Sequence, residues 1–304
     1  MSVKVSRKSL GKVNLVLNVL GRREDGFHEL ETLMVPVGVA DELSIELGGA
    51  GIELSCSRSE LPTDRGNLVY RAAEVFCHRA GLTEGVRIHL EKRMPLEAGM
   101  GGGSSNAATT LLLMNQLFGG ALGTEVLREL AEGLGSDVPF FLGSGPGVAR
   151  GRGERVEEVD SFGCLEGVGV FLVHPGFGVS TPWAYKQLVH FPQLLNGRSG
   201  RVDEMVEAMR SGGMRRVGEL LYNALEEPVL NKYPLLMLFQ EFLRGRDSLG
   251  VLMSGSGSTT FSLWGSVDGA REAEAAFRAE FGEGNWTWVG ELGREAQSGK
   301  QQLR

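Results

Sequence analysis

Residues 95–108 read Pro95-Leu96-Glu97-Ala98-Gly99-Met100-Gly101-Gly102-Gly103-Ser104-Ser105-Asn106-Ala107-Ala108. A glycine cluster and two serines precede a run rich in Ala, Leu and Met that extends to about residue 118. Upstream, Val86, Ile88 and Leu90 alternate as one face of a strand does. The glycines therefore stand between a strand and a helix, with Ser104 or Ser105 as the expected N-cap. Glycines let a backbone approach a ligand closely and take positive φ. A helix N-terminus presents unpaired N–H groups and a partial positive charge. A glycine loop opening a helix is thus a phosphate cradle, the other reading being a flexible surface turn.

Elimination narrows the kind of cradle. A G-x-x-x-x-G-K-[ST] loop needs a lysine after its glycines, and none follows here. The dinucleotide pattern G-x-G-x-x-G fails at Ser104, the sixth position counted from Gly99. The glycine flap of protein kinases lies between two strands, not before a helix. What remains is a third type of phosphate loop.

On the N-terminal side, residues 11–20 (GKVNLVLNVL) alternate as a strand. Lys12, Asn14 and Val16 are expected on one face and Val13, Leu15 and Leu17 on the other. Residues 22–26 read as a turn, 29–38 as extended, 42–47 as a further strand and 67–79 as a helix. After the helix at 104–118 a second is expected at 124–133. Beyond it the pattern gives a strand at 168–174, helices at 202–222 and 228–244, and a strand pair at 249–264. A helix at 268–281 and a strand at 285–290 complete the series, an α+β order. Residues 143–153 (GSGPGVARGRG) are either a boundary between two halves or a hairpin closing the first. The expected division is 1–156, 157–292 and a polar tail at 293–304.

A chain of 304 residues with 42% hydrophobic residues can bury a large core, as one large domain or two ordinary ones. Its net charge of -7 argues against a general nucleic-acid binder. Cys56, Cys77 and Cys164 form no C-x-x-C pair, which fits a reducing compartment and no zinc site. No apolar run approaches a membrane span. The basic N-terminus is read as a first strand, not a targeting segment, and the expected location is the cytoplasm.

Three segments in order carry a family resemblance: GKVNLVLNVLGRREDGFHELETL (11–33), PLEAGMGGGSSNAA (95–108) and VLMSGSGSTTF (251–261). Together they resemble the GHMP kinases over most of residues 8–265. Lys12-x-Asn14 followed by GRREDGFH, with GSDVPFFLGSG (135–145) and LYNALEEPVL (221–230), resembles one branch of that family. That branch phosphorylates 4-diphosphocytidyl-2-C-methyl-D-erythritol in non-mevalonate isoprenoid synthesis.

The resemblance implies an N-terminal domain like the second domain of ribosomal protein S5, a ferredoxin-like C-terminal domain, and a cleft between them for ATP and substrate. It implies transfer of the γ-phosphoryl of ATP to the 2-hydroxyl of the erythritol unit, with Mg²⁺ travelling on ATP and no protein ligand named for it. Asp137 matches the family's catalytic base; by itself it also reads as an acid before a Pro-initiated turn. Lys12 matches the catalytic lysine, although alone it also reads as a surface lysine on an edge strand. Asn14 shares its face and is expected on the substrate hydroxyls. Phe27 and His28 match a cytidine-reading pair, with Tyr185 as a second stacking ring in competition with Trp183, and Thr181 nearby. Pro95, Gly99, Gly101, Gly102, Gly103, Ser104 and Ser105 match the triphosphate loop, with Asn67 and Lys92 expected to flank the adenine side. Gly255, Ser256 and Gly257 are expected to shape the cleft. Asn106 stands where many GHMP kinases carry Asp. The partners implied are ATP and one small molecule, without nucleic acid or membrane; the oligomeric state is left open. The alternatives are a GHMP kinase for another alcohol such as homoserine or mevalonate, a non-catalytic binder, and a decarboxylase of the same fold.

Overall fold

The computed structural model of the chain describes residues 3–159, 162–195 and 198–293. Nearly all of the tail expected at 293–304 lies outside the described residues. The first layer is a sheet ordered β3-β4-β2-β1-β8, with a hairpin β5-β6 also paired to β2. It is built on two long antiparallel strands, β1 (Lys4–Arg22) and β2 (His28–Leu47). Strand β3 (Ile52–Cys56) runs parallel to β4 (Val86–Glu91), and β4 pairs antiparallel with the C-terminal half of β2. Helices α1 (Leu68–Ala80), α2 (Gly102–Leu117) and α3 (Thr124–Leu134) cover one face of this sheet. Their buried Val69, Phe76, Leu111, Met114 and Leu127 pack on Leu43, Ile45, Ile88 and Leu90.

The glycine-rich stretch 143–153 is a hairpin: β5 (Gly147–Gly151) pairs with the N-terminal half of β2 and with β6 (Arg155–Glu158). Beyond it the second sheet has the antiparallel order β11-β7-β10-β9, from β7 (Gly169–His174), β9 (Gly250–Met253), β10 (Thr260–Trp264) and β11 (Trp286–Glu291). Helices intervene between β7 and β9, and α10 (Val267–Phe281) between β10 and β11. That sequence of strands and helices with this strand order is the ferredoxin-like arrangement.

The helices between β7 and β9 are α4 (Thr181–Gln187), α5 (Pro192–Leu195), α6 (Arg201–Arg210), α7 (Met214–Glu219), α8 (Glu226–Lys232) and α9 (Pro234–Arg244). Two helices expected from the sequence are each broken. The first stops at Arg210 because Gly212-Gly213 follows, with Gly212 at φ 81. The second breaks at Tyr233, because Pro234 cannot donate into the preceding turn. Strand β8 (Tyr222–Asn223) lies between them and pairs parallel with Val16 and Leu17 of β1. A second core cluster joins the two sheets, with Val13, Val35 and Val37 against Val170, Leu172 and Leu263.

The pairing of β1 with β2 shifts register between Leu10 and Gly11, Asn14 and Val16, and Val19 and Gly21, and the second shift decides which residues face the cleft. Asn14 pairs with Met34 and Val16 with Leu33, so Leu15 is an extra residue, a bulge. A bulge reverses the faces beyond it. Val16 joins Val13 and Leu15 in the inter-sheet core, while Leu17 turns to the cleft side with Lys12 and Asn14.

Candidate functional site

The glycine loop is shaped by backbone conformations that few residues other than glycine adopt. Gly99 has φ 73 and Gly101 has φ 69. Helix α2 starts at Gly102 with Gly101 as its N-cap and no side-chain cap. The expected serine cap is therefore corrected: Ser104 and Ser105 lie inside the first turn. The first intrahelical bond is donated by Ser105 N–H to the Gly101 carbonyl at 2.8 Å. The N–H groups of Gly102, Gly103 and Ser104 precede it and have no acceptor within the helix. They face a cleft of about 1660 Å³.

Ser105 stands apart from the cleft. It is buried, and its hydroxyl bonds the Ser9 hydroxyl at 2.7 Å behind the loop. Pro95 lines the cleft. Asn67 lines it too, but its side chain caps α1, accepting from Val69 N–H at 3.0 Å and donating to the Pro62 carbonyl at 2.8 Å. Lys92 lies under the loop, its ammonium paired with buried Asp41.

The three sequence segments converge on the Gly99 carbonyl. Lys12 Nζ donates to it at 2.8 Å, and the Ser254 hydroxyl donates to it at 3.0 Å. A Cβ on Gly99 would stand 2.0 Å from the Ser254 carbonyl oxygen, and one on Gly255 2.6 Å from the Gly99 carbonyl oxygen. Only glycine at both positions lets the glycine loop and the third loop (residues 254–258) touch this closely. Asn223 fixes the third loop by donating to the carbonyls of Met253 and Gly255, each at 2.8 Å.

Lys12 is 2% exposed and also donates to Asn14 Oδ1 at 2.6 Å. Asn14 in turn donates to the Thr32 hydroxyl at 2.8 Å, which fixes its amide. Asp137 Oδ2 is 3.8 Å from Lys12 Nζ. It precedes the turn Pro139–Leu142, which has no side-chain cap, so the Asp137 carboxylate is not spent on a cap. Burial pulls the Lys12 pKa below its ordinary value, and the Asp137 charge offsets this only in part. Phe141 of the same turn abuts Gly101, where an added Cβ would meet its ring at 2.8 Å.

The opposite wall carries aromatic side chains. Phe27 is 53% exposed, and the Arg152 guanidinium lies 4.9 Å above its ring. The His28 and Tyr185 rings are 5.3 Å apart. Burial, and then the Arg22 charge, lower the His28 pKa, favouring the neutral ring. Burial and the nearby Asp137 charge raise the Tyr185 phenol, which stays protonated. Trp183 faces elsewhere, with the Lys232 ammonium 4.0 Å from its ring, so Tyr185 is the ring of this helix in the cleft. The Thr181 hydroxyl bonds the Ser256 hydroxyl at 2.8 Å and ties α4 to the third loop.

Thus Lys12, Asn14, Phe27, His28, Asp137, Thr181 and Tyr185 line the same cleft as Pro95, Gly99, Gly101, Gly102, Gly103 and Ser104. Sequence reasoning missed Asp41, Thr32 and Arg152. Asp41 sits in an alternating strand between Ala40 and Glu42, where nothing local distinguishes it from a solvated acid.

Comparison with known proteins agrees with this geometry. The model for the GHMP kinases N terminal domain matches residues 67–145, and that for the GHMP kinases C terminal domain residues 205–284. A protein of Pelotomaculum thermopropionicum named 4-diphosphocytidyl-2-C-methyl-D-erythritol kinase is 40% identical over 88% of this chain and 91% of its own. One of the same name from Syntrophotalea carbinolica is 40% identical over 86% and 90%. A crystal structure of 4-(cytidine 5'-diphospho)-2C-methyl-D-erythritol kinase matches with a TM-score of 0.77 at 38% identity, over 95% of this chain and 100% of that one. Homoserine kinase from Cytophaga hutchinsonii matches with a TM-score of 0.76 at 19% identity, over 97% and 96%, a likeness of fold alone. With the glycine loop, the buried lysine and both sheets in place, the chain belongs to the GHMP kinases and, among them, to the 4-diphosphocytidyl-2-C-methyl-D-erythritol kinase family.

Proposed function

We propose that the chain transfers the γ-phosphoryl group of ATP to the 2-hydroxyl of 4-diphosphocytidyl-2-C-methyl-D-erythritol, giving the 2-phosphate and ADP in non-mevalonate isoprenoid precursor synthesis. The observation that carries this reading is one cleft with three kinds of wall: the N–H groups of α2, the Lys12–Asp137 pair, and the Phe27, His28 and Tyr185 rings. Phosphoryl transfer needs positioning, charge neutralisation and a destination for the hydroxyl proton. The loop N–H groups hold the triphosphate. Asp137 accepts the proton as the hydroxyl oxygen bonds to the γ-phosphorus and the bond to ADP breaks. Lys12 stabilises charge on the transferring group. Asn14 orients the erythritol hydroxyls. Phe27 and Tyr185 offer ring faces to the cytosine, and neutral His28 reads its polar edge. Thr181 closes the substrate side.

Mg²⁺ enters as MgATP, part of the substrate. The N–H groups of the loop and the nearby ammonium groups are donors, which suit phosphate oxygens. In this reading the ion arrives on the phosphate oxygens of ATP, with water, and no protein ligand is named for it. We place the reaction in the cytoplasm, where ATP is supplied; among the described residues no helix is long and apolar enough to cross a membrane. Phosphorus NMR of a reaction with MgATP tests this function. A new phosphomonoester signal that grows with ADP supports it; inorganic phosphate growing with ADP and no phosphomonoester would overturn it.

A further inference from the structure

Beneath the phosphate loop lies a buried polar cluster that the mechanism does not use. Asp41, on β2, is fully buried. It accepts from Arg93 N–H at 2.8 Å and Met94 N–H at 2.9 Å, at the point where the chain leaves β4 for the loop. It accepts from Asn106 Nδ2 at 2.9 Å, on the first turns of α2. Its fourth donor is the Lys92 ammonium. One carboxylate therefore grips both ends of the loop. Asn106 completes the cluster by donating to the Ser9 hydroxyl at 2.8 Å.

Lys92 is 7% exposed, yet it lines the cleft. An ammonium has three donors. Asp41 takes one, and Asn106 Oδ1 accepts a second at 3.3 Å. The third has no acceptor among the described residues. The nitrogen stands 2.9 Å from where a Cβ on Gly102 would lie, beside the first residue of α2. A buried cationic donor left short of one acceptor is costly unless a ligand completes it. The group beside it is the triphosphate seat.

We propose that Asp41 is a positioning residue for ATP: it holds the Lys92 ammonium under Gly102, so that the third N–H meets a phosphate oxygen of the bound nucleotide. This rests on the kinase reading above and moves Lys92 from the adenine side to the phosphates. Asp41 acts only through Lys92 and the loop and touches no substrate.

The test compares Asp41→Asn, Lys92→Met and the double variant in a coupled ATPase assay and a thermal melt. Because Asp41 works through Lys92, each single variant raises KM for ATP about tenfold, and the double raises it no further. KM for the alcohol stays within twofold in all three. Asp41→Asn alone also melts lower, since it strands a buried ammonium, and the double variant regains part of that loss. A double variant that melts like the wild type and keeps the wild-type KM for ATP would make the pair structural only and overturn the proposal. So would multiplicative effects of the two single changes. Lys92→Met leaves Asp41 three N–H donors; if the other variants do not fold, a wild-type KM for ATP in it alone overturns the proposal. Failure of the kinase reading looks different: the wild-type protein itself would then turn over no alcohol.

Discussion

The Lys12 ammonium stands 3.8 Å from the Asp137 carboxylate, with the lysine side chain 3% exposed and the aspartate 38% open to the cleft. The pair joins the first strand to the turn after α3, and its open end faces the space between the phosphate loop and the aromatic wall. A base in that position is free to meet a hydroxyl, while its partner is fixed by Asn14 and the Gly99 carbonyl.

Asp137→Asn keeps the shape and removes the proposed base. Turnover is expected to fall by about 10²–10⁴-fold, the usual contribution of a positioned general base. ATP binding should stay near wild type, while the melt should fall modestly because the buried Lys12 ammonium loses its counter-charge. Turnover within tenfold of wild type would remove Asp137 from the proton transfer.

The buried lysine sets the alkaline limb of the pH profile. Its pKa lies below the ordinary 10.5 because burial disfavours the ammonium. Rate should therefore fall with a midpoint below 10.5 as Lys12 deprotonates. The stability linkage has a definite sign. Between the lowered folded value and 10.5 the unfolded chain holds the proton that the folded chain has released, so stability contributed by this group rises with pH in that window. Lys12→Arg stays charged and should move the alkaline limb of its residual activity upward; an unmoved limb would assign it to another group.

His28→Ala removes one stacking neighbour and one polar contact to the base. Contributions of about 1 kcal/mol from each predict a KM for the cytidyl alcohol raised roughly tenfold or more. KM for ATP should change less than twofold, since the ring lies on the far wall. Burial and Arg22 hold its pKa below 6.5, so the neutral ring predominates at pH 6.5, and KM for the alcohol should rise as His28 takes up a proton at lower pH. Equal changes in both KM values would move His28 off the substrate side.

Two glycines of the loop should respond oppositely to alanine. At Gly99 a Cβ would meet the Ser254 carbonyl at 2.0 Å and the residue has φ 73. Overpacking and the left-handed backbone together predict a loss of about 2–4 kcal/mol in a denaturant melt. At Gly103 the nearest atom to a Cβ is Leu68 Cδ1 at 3.6 Å, so Gly103→Ala should fold with little loss. Equal melting of the two variants would contradict the interlocked loops.

Much of this was readable in the chain. The strand, glycines and apolar helix around residues 86–118 announce a phosphate cradle by local chemistry, and the alternation at 11–20 announces the strand that carries Lys12. Local chemistry did not reveal the bulge at Leu15, because a register shift depends on the partner strand and leaves the residue types unchanged. Nor did it show that Gly101 would cap α2, since both serines beside it are better caps in isolation and the positive φ of the loop decided otherwise. Asp41 was invisible for a similar reason. Its four donors come from Lys92, Arg93, Met94 and Asn106, more than fifty residues away in the chain.

The most direct measurement is ATP consumption by the purified protein with MgATP and four alcohols in parallel: 4-diphosphocytidyl-2-C-methyl-D-erythritol, the same alcohol phosphate without its cytidine, homoserine and mevalonate. Turnover of the cytidyl compound alone is the expected result, because only it fills both the Lys12–Asp137 end and the Phe27–His28–Tyr185 wall of the cleft. Equal turnover of the compound lacking cytidine would contradict the base-reading wall. Turnover of homoserine or mevalonate in its place, or of none of the four, would contradict the proposed function.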